Sequence, residues 1–129
     1  MGQKINPIGF RLGVNRGWDS VWFAKKKEFG KYLIEDFKIR KYINKNIVNS
    51  GVSDIIIERS GKKLIVSIHT SRPGFVIGKK GADIEKIKNN VLKISKDSEV
   101  SVNIKEIKKP ELNAYLIAEN IATQLVKRI

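Results

Sequence analysis

The 129-residue chain contains no cysteine and a single histidine, His69. The absence of thiols excludes disulfide frameworks, thiolate zinc sites and cysteine nucleophiles, and one histidine leaves few other metal or acid–base sites. No apolar run is close to the length of about 18 residues that a membrane-spanning helix needs, and the N-terminal residues lack the apolar stretch of a signal peptide. These absences predict a soluble, cytoplasmic protein without metal or cofactor.

Acidic side chains are also scarce. The chain has 26 Lys and Arg residues against 13 Asp and Glu, a formal net charge of +13. Such an excess is best tolerated beside a polyanion, and nucleic acid is the commonest one, with anionic membrane surfaces second. A merely solubilising surface is the alternative. Because 41% of the residues are hydrophobic, the chain can still build a core.

The first 28 residues show no sustained periodicity and are interrupted by glycines and Pro7. They predict an irregular basic arm. Its aromatic residues Trp18 and Trp22 either stack on bases or pack the arm on the domain, and packing is the favoured interpretation. The basic side chains of the arm that are candidates for phosphate contact are Lys4, Arg11, Lys25, Lys26 and Lys27, although the lysine run also suits a solvated surface.

Alternating helical and strand periods follow the arm. A helical period runs over about 29–49, two strands at about 54–59 and 64–68 form a predicted hairpin, and Pro73 opens a short helix. A longer amphipathic helix begins at Gly81, a third strand covers 100–104, and Pro110 opens a last helix. The apolar residues expected to face inward from the first and last helices are Phe29, Leu33, Phe37, Ile43, Ile47, Tyr115, Ala118, Ala122, Leu125 and Ile129.

The most specific local motif is Gly78-Lys79-Lys80-Gly81, between two predicted helices. Glycines without Cβ atoms let a sugar–phosphate backbone approach, and the unpaired amides that open the next helix suit phosphate. The alternative is a tight helix–loop–helix turn with solvated lysines. Arg59 and Lys62 bracket the hairpin and are further candidates to flank such a groove. No G-x-x-x-x-G-K-[ST] phosphate loop and no paired acidic site is present, so we expect no enzyme.

This G-x-x-G loop, with the β–α–loop–α–β order around it, resembles the KH domain, a module that binds single-stranded RNA. The extra helix and strand before that core resemble the type II arrangement. The resemblance implies an α+β fold, with a three-stranded mixed sheet packed by helices on one face. We expect a KH type II domain over 29–109, preceded by the irregular basic arm 1–28 and followed by a helix over 110–129.

The N-terminal segment Met1-Gly2-Gln3-Lys4-Ile5-Asn6-Pro7-Ile8-Gly9-Phe10-Arg11-Leu12-Gly13, together with Arg72-Pro73-Gly74, resembles the family of small-subunit ribosomal protein three of bacteria and organelles. The resemblance implies a structural role in the head of the small ribosomal subunit. The implied partners are ribosomal RNA, neighbouring head proteins and messenger RNA where it enters the subunit, with no membrane. It also implies a second α/β domain after this chain, which agrees with the apolar pattern that continues to Ile129.

Two other functions stay open from the sequence: a free-standing KH RNA-binding protein or RNA chaperone, and a polycation bound to membrane surfaces. The N-terminal signature favours the ribosomal interpretation, because a free module needs no assembly arm. The predicted RNA-binding residues are Gly78, Lys79, Lys80, Gly81, Arg72, Lys4, Arg11, Lys25, Lys26 and Lys27.

Overall fold

The structure is a computed structural model that describes residues 2–96 and 98–129. Its helices are α1 (Pro7–Arg11), α2 (Lys26–Asn46), α3 (Pro73–Ile77), α4 (Ala82–Ile94) and α5 (Ala114–Val126). Its strands are β1 (Ser20–Val21), β2 (Val52–Ser60), β3 (Lys63–Thr70) and β4 (Glu99–Glu106). Short 3-10 turns cover Lys79–Gly81 and Pro110–Leu112.

The strands form one mixed sheet in the order β1-β2-β3-β4. The predicted hairpin is confirmed as the antiparallel pair β2 and β3, and β4 runs parallel to β3. These three strands are the predicted mixed sheet. The sheet has one strand more than expected, because residues 20–21 of the arm pair in parallel with β2.

The arm is therefore not wholly irregular. Besides β1 it contains α1, which begins after Asn6, whose side-chain oxygen accepts hydrogen bonds from the amides of Ile8 and Gly9. An asparagine cap and a proline in the first turn are strong local signals for a helix start. The sequence prediction missed this helix because α1, at five residues, is too short to show a helical period.

The core lies between the sheet and one helical layer. Buried residues of α2, α3 and α4 pack against the sheet face formed by alternate residues of β2, β3 and β4, as the α+β prediction required. The contributing side chains are Ile39, Ile43, Val76, Ile87, Val91, Ile55, Ile57, Leu64, Val66, Ile68 and Val100.

The predicted inner face of the first helix is wrong in its N-terminal half. Phe29, Leu33 and Phe37 are all at least half exposed, and the buried residues of α2 are Asp36, Ile39 and Ile43. Positions 36, 39 and 43 share a helical face because they are three and four residues apart. In this half of α2 the residue that faces the sheet is therefore Asp36, whose charge is paired with Arg59, and not an apolar residue.

The last helix begins later than predicted. A 3-10 turn covers Pro110–Leu112, and Asn113 then caps α5 by accepting from the amides of Tyr115 and Leu116. None of the residues of α5 is buried, and Tyr115 and Leu125 on the predicted inner face are 57% and 70% exposed. The inward direction predicted for that face is therefore wrong within the described residues.

Candidate nucleic-acid interface

The G-x-x-G loop joins α3 to α4 through left-handed backbone. Gly78, Lys80 and Gly81 have φ angles of 73°, 54° and 78°. The amide of Gly78 donates to the carbonyl of Gly74 and closes α3, while Gly81 stands immediately before α4. Glycine adopts such angles without steric cost, whereas Lys80 does so against its preference. The loop is thus a sharp, backbone-exposing connection at the start of a helix.

The chemistry of the loop suits an anion. Lys79 and Lys80 are exposed, and no side chain caps the 13-residue α4, whose first amides lack intrahelical acceptors. One carboxylate lies close by: Asp83 forms an exposed ion pair with Lys86 at 3.5 Å and fills the space beside Gly78, where any Cβ would overlap it. A phosphate therefore meets two free lysines and one partly neutralised carboxylate.

The structure places Arg72 close to this loop. Arg72 is exposed and directly precedes the five-residue α3, which the loop follows, so the two are about 9 Å apart along the helix axis. Its guanidinium lies 5.9 Å from the ring centroid of Phe75, which is 69% exposed. Both α3 and α4 pack beside β4, the last strand of the sheet, so these cations and an exposed ring line one border of the domain.

The predicted lysine run at residues 25–27 lies at the other end of the sheet, where α2 begins. Lys25, just before α2, borders a cavity with Gly61 and Lys63, at the end of the hairpin where β3 starts. Because β3 has eight residues at about 3.3 Å each, roughly 25 Å of strand separates that end from α3 and the loop. Lys4 and Arg11 are exposed in the arm, and Arg11 Nη1 donates to the carbonyl of Pro7 at 3.0 Å. The RNA contacts predicted for the arm stay predictions: Lys4, Arg11, Lys25, Lys26 and Lys27.

A buried polar network fixes the arm to the domain. Asp36 is 1% exposed, and its carboxylate accepts from Trp22 Nε1 at 2.6 Å, from Ser20 Oγ at 3.0 Å and from Arg59 Nη2 at 2.7 Å. Arg59 also donates to Glu35 at 3.1 Å. The expectation that Trp22 packs the arm on the domain is confirmed, whereas Trp18 is 67% exposed.

Arg59 was predicted to flank the groove, and that prediction is wrong. Its side chain is only 6% exposed, and its guanidinium carbon lies 4.6 Å from the ring centroid of Tyr32, so Arg59 is a buried structural cation beneath α2. The sequence contained a signal for its partner, because Asp36 shares the helical spacing of Ile39 and Ile43. An aspartate on the apolar face of a helix indicates a buried cation nearby, because a buried carboxylate is stable only when its charge is paired.

Two kinds of site do not occur among residues 2–96 and 98–129. No group of three or more histidine and carboxylate side chains is arranged to hold a metal ion there. Within the same residues, no helix has the length and apolar content to cross a membrane. His69, the single histidine of the chain, is half-buried in β3.

Comparison with known proteins matches these features. A family model of the KH domain matches residues 38–112, which include the G-x-x-G loop, α4 and β4. Proteins named small ribosomal subunit protein uS3 are similar over all 129 residues: 74% identical in Pelagibacter ubique and 58% in Parvibaculum lavamentivorans. The chain spans 57% and 54% of the lengths of these two relatives.

The matched segment covers more than half of the chain and contains the elements that form the loop and its sheet. The mixed sheet, the three helices on one of its faces and the left-handed loop before α4 agree with that match. By structure and by sequence, this chain belongs to the KH domain family.

Proposed function

We propose that the chain is the RNA-binding N-terminal part of a structural protein of the small ribosomal subunit. It binds ribosomal RNA in the subunit head, contacts neighbouring head proteins through its arm, and acts in the ribosome in the cytoplasm. It lies near the region where messenger RNA enters the subunit. The protein acts by binding and catalyses no reaction.

The observation that carries this proposal is the G-x-x-G loop itself. Two exposed lysines, left-handed glycines and an uncapped helix start occur together, in a chain with a net charge of +13. KH domains use this loop to clamp about four nucleotides of single-stranded RNA. The similarity over the whole chain, arm included, to proteins named small ribosomal subunit protein uS3 supports the ribosomal setting over a free-standing RNA chaperone.

The test compares charge reversal in the loop with charge reversal elsewhere. Replacing both glycines is a poor test, because a Cβ at Gly78 would overlap the Asp83 carboxylate. Lys79→Asp with Lys80→Asp keeps the glycines, and aspartate tolerates the left-handed φ of residue 80 better than lysine. The matched control is Lys41→Glu with Lys45→Glu, which makes the same change in net charge on the exposed side of α2.

We expect the loop variant to bind a single-stranded ribosomal RNA segment more weakly than the control in a titration at several salt concentrations. Losing two phosphate contacts makes the negative slope of log K against log salt shallower by about 1.4. The loop variant should also lose its preference for single strands over duplex. Equal weakening in both variants, with the preference unchanged, would remove the loop from RNA binding and leave only a basic surface.

A further inference from the structure

The N-terminal half of α2 presents a row of apolar side chains to the outside of the domain. Four of them are each at least half exposed, and we call them the α2 stripe: Phe29, Leu33, Ile34 and Phe37. Phe29, Leu33 and Phe37 are four residues apart, so they follow one face of the helix, and Ile34 lies beside them. Single exposed apolar residues need no explanation, whereas a contiguous patch with a polar border marks an interaction surface.

The α2 stripe is rigid before any partner binds. The ring of Phe29 packs against the indole of Trp22, with 5.3 Å between the ring centroids. Trp22 is in turn fixed by its hydrogen bond to the buried carboxylate of Asp36. The helix itself is anchored in the core by Ile39 and Ile43. Because the surface is preorganised, binding to it costs little conformational entropy.

A glycine lies within the same helical face. Gly30 is three residues before Leu33 and four before Ile34, in the interior of α2. Glycine is the least favourable residue for a helix interior after proline. Nothing in the described residues requires it, because a Cβ at Gly30 would meet no atom within 4 Å and its φ is not left-handed. A side chain without Cβ lets a second chain approach the helix backbone closely, and this points to a partner outside the described chain.

The border of the α2 stripe is positively charged. The exposed lysines that lie on the same helical rows, before and after the stripe, are Lys26, Lys27, Lys38 and Lys41. All of α2 is described, and its one exposed carboxylate, Glu28, is five residues from Leu33 and therefore about 140° away around the helix. Complementarity to this surface requires a partner with an apolar centre and carboxylates around it.

The same features count against two other occupants. A second copy, related by a two-fold axis through the middle of the α2 stripe, would place Lys26 of one chain against Lys41 of the other, between chains that each have a net charge of +13. RNA suits the lysines, but a phosphate backbone offers no apolar surface to cover Leu33 and Ile34. A protein partner satisfies both the apolar residues and the lysines.

We propose that the α2 stripe is a docking surface for an amphipathic, acidic helix of another protein. Apolar residues on one face of that helix pack on Phe29, Leu33 and Phe37, and its flanking Asp and Glu side chains pair with Lys26 and Lys41. The two helices approach most closely at Gly30. The α2 stripe contains no residue of the G-x-x-G loop, so its failure as a docking surface would leave the proposed function standing.

The experiment selects partners of this chemistry from a phage-displayed library of helix-forming peptides, one face of which is randomised. The target is the 129-residue chain. We expect the enriched peptides to carry apolar residues three and four positions apart, flanked by Asp and Glu. Enrichment of peptides without flanking carboxylates, or of no peptide, would overturn the proposal. Because a chain of net charge +13 attracts any acidic peptide, the deciding readout is the dependence on the apolar residues.

That dependence is measured with two matched pairs of substitutions. Leu33→Gln with Phe37→Gln should weaken the selected peptides by about tenfold or more. The control pair Ile121→Gln with Leu125→Gln, on the exposed apolar residues of α5, should leave the affinity unchanged. All four positions are at least half exposed and glutamine is a good helix former, so both variants should fold. Equal affinities for the two variants would refute docking on α2.

Gly30→Leu separates close docking from general adhesion to apolar surface. Leucine stabilises a helix interior, so the urea midpoint of the free chain should rise. The added side chain should nevertheless weaken the selected peptides by about tenfold, because it holds the second helix away from the backbone of α2. Unchanged or tighter binding would show that nothing approaches Gly30 closely, and the proposed packing would be wrong.

Charge reversal tests the acidic border of the partner. Lys26→Glu with Lys41→Glu should weaken the selected peptides more than Lys88→Glu with Lys93→Glu, which makes the same change in net charge on exposed positions of α4. A peptide whose flanking carboxylates are replaced by lysine should show the opposite order of affinities. The same affinity for both variants would contradict pairing at the ends of the α2 stripe.

Two further measurements identify other occupants. Leu33→Gln with Phe37→Gln should leave the affinity for single-stranded RNA unchanged, and a weaker affinity would make the α2 stripe an RNA contact. Sedimentation should find the unsubstituted chain monomeric. A dimer that the same two substitutions dissociate would assign the α2 stripe to a second copy. Either of these contrary results would overturn the proposal.

Discussion

The sharpest test of the folding argument is the substitution Asp36→Asn. The side chain keeps its size, but its charge disappears, and an amide NH2 group now faces the donors of Trp22, Ser20 and Arg59. Breaking a buried ion pair by removing one partner costs about 3–5 kcal/mol, because a charge stays buried without compensation. Glu35 still accepts from Arg59 at 3.1 Å, so we expect the lower end, about 3 kcal/mol.

A matched control exists on α4. Asp83 pairs with Lys86 at 3.5 Å, with both side chains at least half exposed, so Asp83→Asn should cost less than about 1 kcal/mol. Urea unfolding followed by tryptophan fluorescence and far-ultraviolet circular dichroism gives both values. The two unfolding slopes should be alike if the native fold is retained. A cost for Asp36→Asn as small as that for Asp83→Asn would refute the claim that this carboxylate holds the arm and α2 together.

Two other substitutions test neighbouring contacts by the same unfolding assay. Trp22→Phe keeps an aromatic ring beside α2 but removes the 2.6 Å hydrogen bond to the buried carboxylate, so we expect a loss of about 1–3 kcal/mol; no loss would show that the indole donor is dispensable. Gly51→Ala and Gly61→Ala both force alanine into left-handed backbone, at φ angles of 65° and 60°. Gly61→Ala meets open space and should cost about 1 kcal/mol. Gly51→Ala should cost more, because its Cβ would overlap the Ser71 hydroxyl, and equal costs would contradict that overlap.

The elements with a regular period were predictable from the sequence. Alternation in 64–68 and 100–104 predicted β3 and β4, and the three-and-four spacing from Ile84 to Ile94 predicted α4. Gly78 and Gly81 marked the loop because only glycine adopts left-handed backbone without strain. These signals depend only on residues close together in the sequence, so they can be recognised without knowing the tertiary packing.

The predicted inner helix face was right for the C-terminal half of α2, where Ile43 is buried, and wrong for its N-terminal half and for α5. Hydrophobicity alone assigns Phe29 and Phe37 to the core and Asp36 to solvent, yet the structure reverses all three. The reversal depends on Arg59, which is 23 residues away in β2, and on the docking of Trp22. A contact between residues far apart in the chain produces no periodic pattern in the sequence, so the buried position of Asp36 could not be predicted from periodicity.

The sequence by itself determined the net charge of +13, the G-x-x-G loop and the order of the helices and strands that follow the arm, because composition, glycine positions and periodicity are properties of short segments. Only the tertiary structure decided that Lys25 and the loop stand at opposite ends of the sheet and that Arg59 is buried rather than free. Strand direction and register set those distances, and both arise from packing between segments far apart in the chain.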